Sequence, residues 1–378
     1  MRGSLVVAGL WVRPLAESAT RAGWRVVALD LFGDADTWRA CARWERIGDP
    51  AAFAIAPGLL RGALERASRE PGVLGWVAGS GFEGMPEALD QRIAGLPLLG
   101  MAGEAMRRVR APASFFGKLD RLGLEHPAIA FQSPADPAGW LAKDAGASGG
   151  WHIRAAEDDA RTTGVYWQRF QPGVPMSVLF LADGAHARVV ALNRLLVRPL
   201  GDAPFVYHGA IGPVRDAVLA RRMEAILALL VPVFGLRGLA SLDFIAHGQH
   251  AWLLEVNPRP SATMVLHDAA WPAGLVDAHV RAVQGWLPPG PPAHAGGVRG
   301  NLIVFADRAC RVGAALAADL ARSTHCHDLP VAGATFAPGE PVCSVSACGS
   351  DQDAVVRELD ARAAGVRARL AQEEELAA

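Results

Sequence analysis

Ser241-Leu242-Asp243-Phe244-Ile245-Ala246 and Ala251-Trp252-Leu253-Leu254-Glu255-Val256-Asn257-Pro258-Arg259 flank the tetrapeptide His247-Gly248-Gln249-His250. Two apolar runs joined by a turn of this length predict a β-hairpin. A turn centred near Gly248 or Gln249 places Asp243 opposite Glu255, or one step from it. Period-two alternation then sets Glu255, Asn257 and Arg259 on one face, with Leu254 and Val256 on the other. Carboxylates facing each other across a ladder repel, so the pattern calls for a cation between them. Asp, Glu and an Asn carbonyl are hard oxygen donors, suited to Mg²⁺ or Mn²⁺ and unsuited to zinc. The alternative is a solvated pair screened by Arg259, which fits poorly with such apolar flanks.

All but two of the 37 basic residues are arginine; the exceptions are Lys118 and Lys143. Where arginine has replaced lysine wherever a solvated charge suffices, a retained lysine marks a place that needs the compact ammonium. Lys143 opens Lys143-Asp144-Ala145-Gly146-Ala147-Ser148-Gly149-Gly150, whose small residues can fold backbone N–H groups over phosphate oxygens. It lacks the G-K-[ST] ending of a Walker loop. Further on, Val165-Tyr166-Trp167-Gln168-Arg169-Phe170, a Pro172-Gly173 turn and Met176–Leu181 read as strand, turn and strand, a hinge whose backbone suits a purine.

Upstream, residues 5–10, 24–29 and 73–78 read as short buried strands, with amphipathic helices over 14–22 and 58–69. That rhythm predicts an α/β layer with a mainly parallel sheet, without the G-x-G-x-x-G turn of a dinucleotide fold. The polar segments 30–37 and Gly79-Ser80-Gly81-Phe82-Glu83 fall just past strand ends, where open α/β sheets bind ligands. Residues 287–297 are the strongest linker signal, followed by strands over 301–306 and 341–346 and a closing helix over 351–371.

The formal net charge is −1, which argues against a nucleic-acid or membrane partner. No apolar run approaches the roughly 18 residues of a membrane span, and the first apolar run is short for a secretory leader. Five cysteines without C-x-x-C spacing fit free thiols in the cytoplasm. The segment His325-Cys326-His327 reads as structural, because neighbouring ligands on an extended strand point to opposite faces.

In this order and spacing the pieces resemble the ATP-grasp superfamily, with Glu255-Val256-Asn257-Pro258-Arg259 the most specific element. The resemblance implies an α/β (α+β) protein. A leading pre-ATP-grasp domain would span 1–105, a two-lobed antiparallel nucleotide domain 106–285, and a small β-rich domain with the closing helix 298–378. It implies that Lys118 and Lys143 contact ATP phosphates, that Gly146, Ser148, Gly149 and Gly150 form the lid, and that Gln168 and Phe170 frame adenine. Asp243, Glu255 and Asn257 would hold Mg²⁺ or Mn²⁺. Arg259 would steady the reacting intermediate, with Lys143 assisting. Gly79, Ser80, Gly81, Glu83, Asn193 and Arg194 are the substrate-side candidates.

Pro175 stands where many members carry a ribose-binding Glu, and Ser241 where some carry an Arg. Arg194 or Arg198 is the available replacement. The implied reaction is carboxylate–amine ligation through an acyl phosphate, on small-molecule substrates, in a cytoplasmic protein that could pair as a homodimer. Segments 30–37, 79–83 and 328–345 also resemble ATP-grasp proteins of tetrahydromethanopterin and methanofuran synthesis, including a tyramine–glutamate ligase. Alternatives within the fold are a phosphotransferase and a nucleotide-sensing scaffold without turnover.

Overall fold

The structure is a computed structural model and describes residues 2–158, 164–289 and 296–377. Part of the expected linker at 287–297 lies outside the described residues.

The leading α/β layer follows from three mainly apolar runs too short for helices. Strands Arg43–Arg46, Arg25–Asp30, Ser4–Ala8 and Val73–Ala78 lie side by side in that order, all parallel. Helices Arg13–Arg21 and Pro57–Ala67 connect them, each with a proline in its first turn, where the missing N–H costs nothing. The carboxyl ends of Ser4–Ala8, Arg25–Asp30 and Val73–Ala78 lead into residues 9–13, 31–36 and 79–83, so all three loops share one edge.

Two antiparallel sheets of four or more strands follow. The smaller is ordered Ile129–Ala130, Tyr166–Arg169, Trp140–Lys143, Arg154–Ala155. The larger has eight strands, ordered His250–Asn257, Arg237–His247, Val174–Asp183, Ala187–Leu200, Ala203–Gly212, Val298–Phe305, Pro341–Gly349 and Cys326–His327. The C-terminal strands therefore continue the central sheet, with Gly209 opposite Leu302 and Gly212 opposite Arg299.

One face of this sheet buries Val178, Phe180, Leu242, Phe244, Leu253 and Val256, in one core with Met223, Leu227 and Phe234 of helix Ala217–Phe234. Leu179, Leu181 and Leu239 join a second core with helices Arg13–Arg21 and Gly274–Val283. The closing helix Gln352–Ala377 buries Val355, Leu359, Ala363, Val366 and Leu370, a helical stripe that covers Leu302, Val345 and Ala347. Among the described residues no helix is long and apolar enough to cross a membrane.

The leading layer is also tied to the C-terminal loop. Arg13, 3 % exposed, pairs with Asp328, Glu17 and Asp36. Asp36 accepts the backbone N–H groups of Asp328 and Leu329 at 2.8 and 3.0 Å. His327 bonds Ser346 at 2.9 Å, and His325, Cys326 and His327 form no metal cluster among the described residues.

Candidate active site

A two-residue turn, Gly248-Gln249, joins the hairpin, with Gly248 at φ +58°. From His247 opposite His250, regular pairing continues through Phe244 opposite Leu253. There Leu254 is skipped, so Asp243 meets Glu255 and Ser241 meets Asn257. This β-bulge brings both carboxylates to one face; unbroken pairing would have left them on opposite faces. It also revises the expected alternation. Leu253 and Val256 occupy the core, while Leu254 lines the pocket beside Glu255.

The row runs across four strands, with Glu255 opposite Asp243, Asp243 opposite Ser177, and Ser177 opposite Asn193. Asn257 Nδ2 donates to Asp243 Oδ2 at 3.0 Å. Burial and the neighbouring Glu255 charge push the Asp243 carboxyl well above its ordinary range. Burial acts the same way on Glu255, but the charges of Arg110 and Lys143 outweigh it and pull that carboxyl far down. The pair thus divides into one firmly ionised member and one near neutrality, as expected of carboxylates sharing a site.

Lys143, 5 % exposed, donates to Gln168 Oε1 at 3.1 Å, and its Nζ lies 5.9 Å from the centre of the Tyr166 ring. Arg110, which the sequence reading did not single out, makes the direct contact with the metal-type carboxylate. Its Nη1 donates to Glu255 at 2.6 Å, and its Nη2 donates to the carbonyls of Ala145 and Ala147, both at 2.9 Å. Lys118 sits half-buried on helix Pro112–Leu122, whose Phe115 and Phe116 line the same pocket as Arg110 and Glu255. His152 lines it too, and burial lowers its imidazole to about 4, so it is neutral at physiological pH.

The glycine loop lies against both neighbours. A Cβ on Gly84 would lie 3.0 Å from the Gly146 carbonyl, and one on Gly150 would strike the Phe205 carbonyl at 1.9 Å. Tyr207 N–H donates to the Gly149 carbonyl at 2.9 Å. Ser148 is half-buried, and Phe170 is exposed with its ring 6.2 Å from Phe205.

The strand-end segment reaches this centre. Arg259 Nε donates to Glu83 Oε1 at 2.7 Å, and Glu83 Oε2 accepts the Gly81 N–H at 2.8 Å. Glu83 is buried, which alone would raise its carboxyl, yet Arg259 and Arg110 hold it below the usual range. Gly79 and Ser80 bond the first strand and its loop, through Gly79 N–H to the Ala8 carbonyl and the Ser80 carbonyl to Leu10 N–H. Asn193 is fully buried and bonds His267 Nε2 at 2.6 Å; Gly212 leaves room for it, since a Cβ there would lie 2.2 Å from Asn193 Oδ1. Arg194 follows Asn193 on the strand and so faces the other side of the sheet. Arg198 is engaged by Asp360 of the closing helix at 2.7 Å.

The donor set fits a hard divalent ion. Asp243, Glu255 and Asn257 offer oxygens on one face, and Asp243 is destabilised as an anion by an adjacent negative charge. Among the described residues no group of three His, Cys, Asp or Glu side chains could hold a metal by itself. A bound ion must therefore take further oxygens from elsewhere.

Residues 113–263 match the family model of the ATP-grasp domain. No curated protein matches the chain in sequence. Among solved structures, the biotin carboxylase of Campylobacter jejuni, in a β,γ-ATP complex, superposes with a TM-score of 0.70 at 12 % identity, covering 93 % of this chain and 89 % of that one. N5-carboxyaminoimidazole ribonucleotide synthetase of Thermus thermophilus gives 0.68 at 17 % identity, covering 97 % and 98 %. The biotin carboxylase domain of Hydrogenobacter thermophilus 2-oxoglutarate carboxylase, solved with MgADP, ADP and bicarbonate, gives 0.69 at 11 % identity, covering 93 % and 88 %. The fold agrees over nearly the whole length, and the segment that carries the carboxylate row, residues 113–263, is an ATP-grasp domain.

Proposed function

We propose that the chain is an ATP-dependent carboxylate–amine ligase that activates its carboxylate as an acyl phosphate. The observation that carries this reading is the Asp243–Glu255 pair, flanked by Asn257 and surrounded by Arg110, Lys143 and Arg259. Two carboxylates and an amide are too few for a hard cation, which takes about six oxygens; nucleotide phosphates and water complete the shell. Mg²⁺ held there would neutralise the triphosphate and polarise its terminal phosphorus.

The chain's own side chains supply the rest. Lys143, fixed by Gln168, and Lys118 neutralise phosphate oxygens. The loop bearing Gly146, Ser148, Gly149 and Gly150 excludes water, while Gln168 and Phe170 frame the adenine. Arg259, oriented by Glu83, faces the reacting carboxylate. An oxygen of that carboxylate attacks the γ-phosphorus and ADP leaves; the amine nitrogen then attacks the acyl carbon and phosphate leaves. Positioning and charge neutralisation carry most of such a reaction. Gly79, Ser80, Gly81 and Glu83 form the substrate side, at the carboxyl ends of the parallel strands.

The test is a screen of amino acids and amines for ADP release, beginning with glutamate and tyramine, with and without hydroxylamine. A hydroxamate identifies the acyl phosphate. A stable phosphorylated product points instead to a phosphotransferase, and nucleotide binding without substrate-dependent phosphate release to a scaffold. A folded Glu255→Ala protein should form almost no ADP; wild-type turnover in it sinks the metal assignment.

A further inference from the structure

The Arg110 guanidinium joins parts of the site that no single element connects. It is the last residue of helix Gly103–Arg110 and its side chain is 7 % exposed. One nitrogen holds Glu255, and the other holds two carbonyls of the glycine loop, those of Ala145 and Ala147. The residue between them, Gly146, rests on Gly84 of the leading layer. Next to Gly84, Glu83 orients Arg259, which follows Asn257 and Pro258 on the chain from Glu255. The contacts therefore close a ring from Glu255 through Arg110, the glycine loop and the strand-end segment to Arg259.

We propose that Arg110 is a positioning residue that seats the glycine loop against Gly84, so that the loop, the metal-binding carboxylate and the substrate-side segment come into register together. Its relevance to turnover rests on the ligase reading; the seating itself does not. A planar fork meets these acceptors because its two terminal nitrogens diverge, whereas a lysine ammonium presents all its donors from one point. Simple compensation of the Glu255 charge would need only a cation. Holding two carbonyls as well needs the fork. Because Glu255 carries two oxygens, Arg110 can hold one while the other stays available to a divalent ion.

Amide hydrogen exchange on the full-length, nucleotide-free protein tests this, with peptides covering residues 144–150 and the Tyr207 amide as reporters. Arg110→Lys should raise exchange in both by about tenfold, as expected for the loss of charge-assisted bonds, while helix Ala217–Phe234 exchanges as in wild type. Gly84→Val keeps Arg110 but crowds the Gly146 carbonyl, and should produce the same loosening. Loop exchange in Arg110→Lys equal to wild type overturns the proposal and leaves only charge compensation. Loosening in Gly84→Val alone overturns it as well, since the seat would then not depend on the fork. Failure of the wild-type protein to bind Mg-ATP would count against the ligase reading and leave these exchange results standing.

Discussion

Asp243 and Glu255 stand directly opposite one another because Leu254 has no partner on the facing strand. The bulge puts two acidic side chains on one face and leaves the ligand-free protein with an electrostatic penalty. Burial and the Glu255 charge raise Asp243 above its unfolded value, so ionising Asp243 destabilises the fold. The penalty is absent below the unfolded carboxylate range, grows as pH rises from there through the folded value, and is fully present above it. Asp243→Asn should therefore stabilise the ligand-free protein at pH 8, by on the order of 1–2 kcal/mol, with the gain vanishing near pH 3. Urea titrations at both pH values check this; an equal gain at each would show that charge is not the cause. The same variant should lose metal-dependent ADP formation, an exchange of stability against function.

Glu83 runs the other way. Arg259 and Arg110 hold its carboxyl low, so its contribution is fully present above the unfolded range and is lost as pH falls through the lower folded value. Its side chain is 2 % exposed, against 12 % for Arg259. Glu83→Gln should cost about 2–4 kcal/mol at neutral pH by leaving Arg259 unpaired. Turnover should fall more than nucleotide affinity does, which steady-state kinetics and calorimetry separate.

Lys143 and Lys118 differ in their settings. Lys143 is buried and bonded to Gln168, in the strand that leads into the glycine loop, whereas Lys118 is half-buried on a helix. Lys143→Met should weaken nucleotide binding by about tenfold or more, in line with the loss of one charge-assisted contact. Lys118→Met should weaken it less. Fluorescent-nucleotide titration compares the two, and a larger effect at Lys118 would reverse their ranking.

Arg13 and Asp328 tie the leading layer to the C-terminal loop. With Arg13 3 % exposed, Asp328→Ala leaves a buried guanidinium short of one anion and should cost about 3–5 kcal/mol. Chemical denaturation measures it. A change under about 1 kcal/mol would mean that Glu17 and Asp36 suffice.

Much of this was legible from local pattern. The strands near residues 5–10, 24–29 and 73–78 are apolar runs bounded by turn residues, and they emerge as Ser4–Ala8, Arg25–Asp30 and Val73–Ala78. The hairpin and its two carboxylates follow from turn length and residue type. The bulge at Leu254 does not, because regular and bulged ladders are compatible with the same residues. Arg110 was hidden for a compositional reason: in a chain where nearly every cation is arginine, no single arginine stands out, and attention falls on the two lysines. The Arg259–Glu83 bond spans 176 positions and depends on how two layers meet, which periodicity does not encode.

The merging of the C-terminal strands into the central sheet bears on how the protein can be dissected. Cutting the chain ahead of residue 298 would strip Val298–Phe305 from Ala203–Gly212 and bare a row of unsatisfied amides along residues 209–212. An unprotected edge of this kind recruits other chains, so the shortened protein should precipitate or form fibres instead of surviving as a minimal catalytic unit.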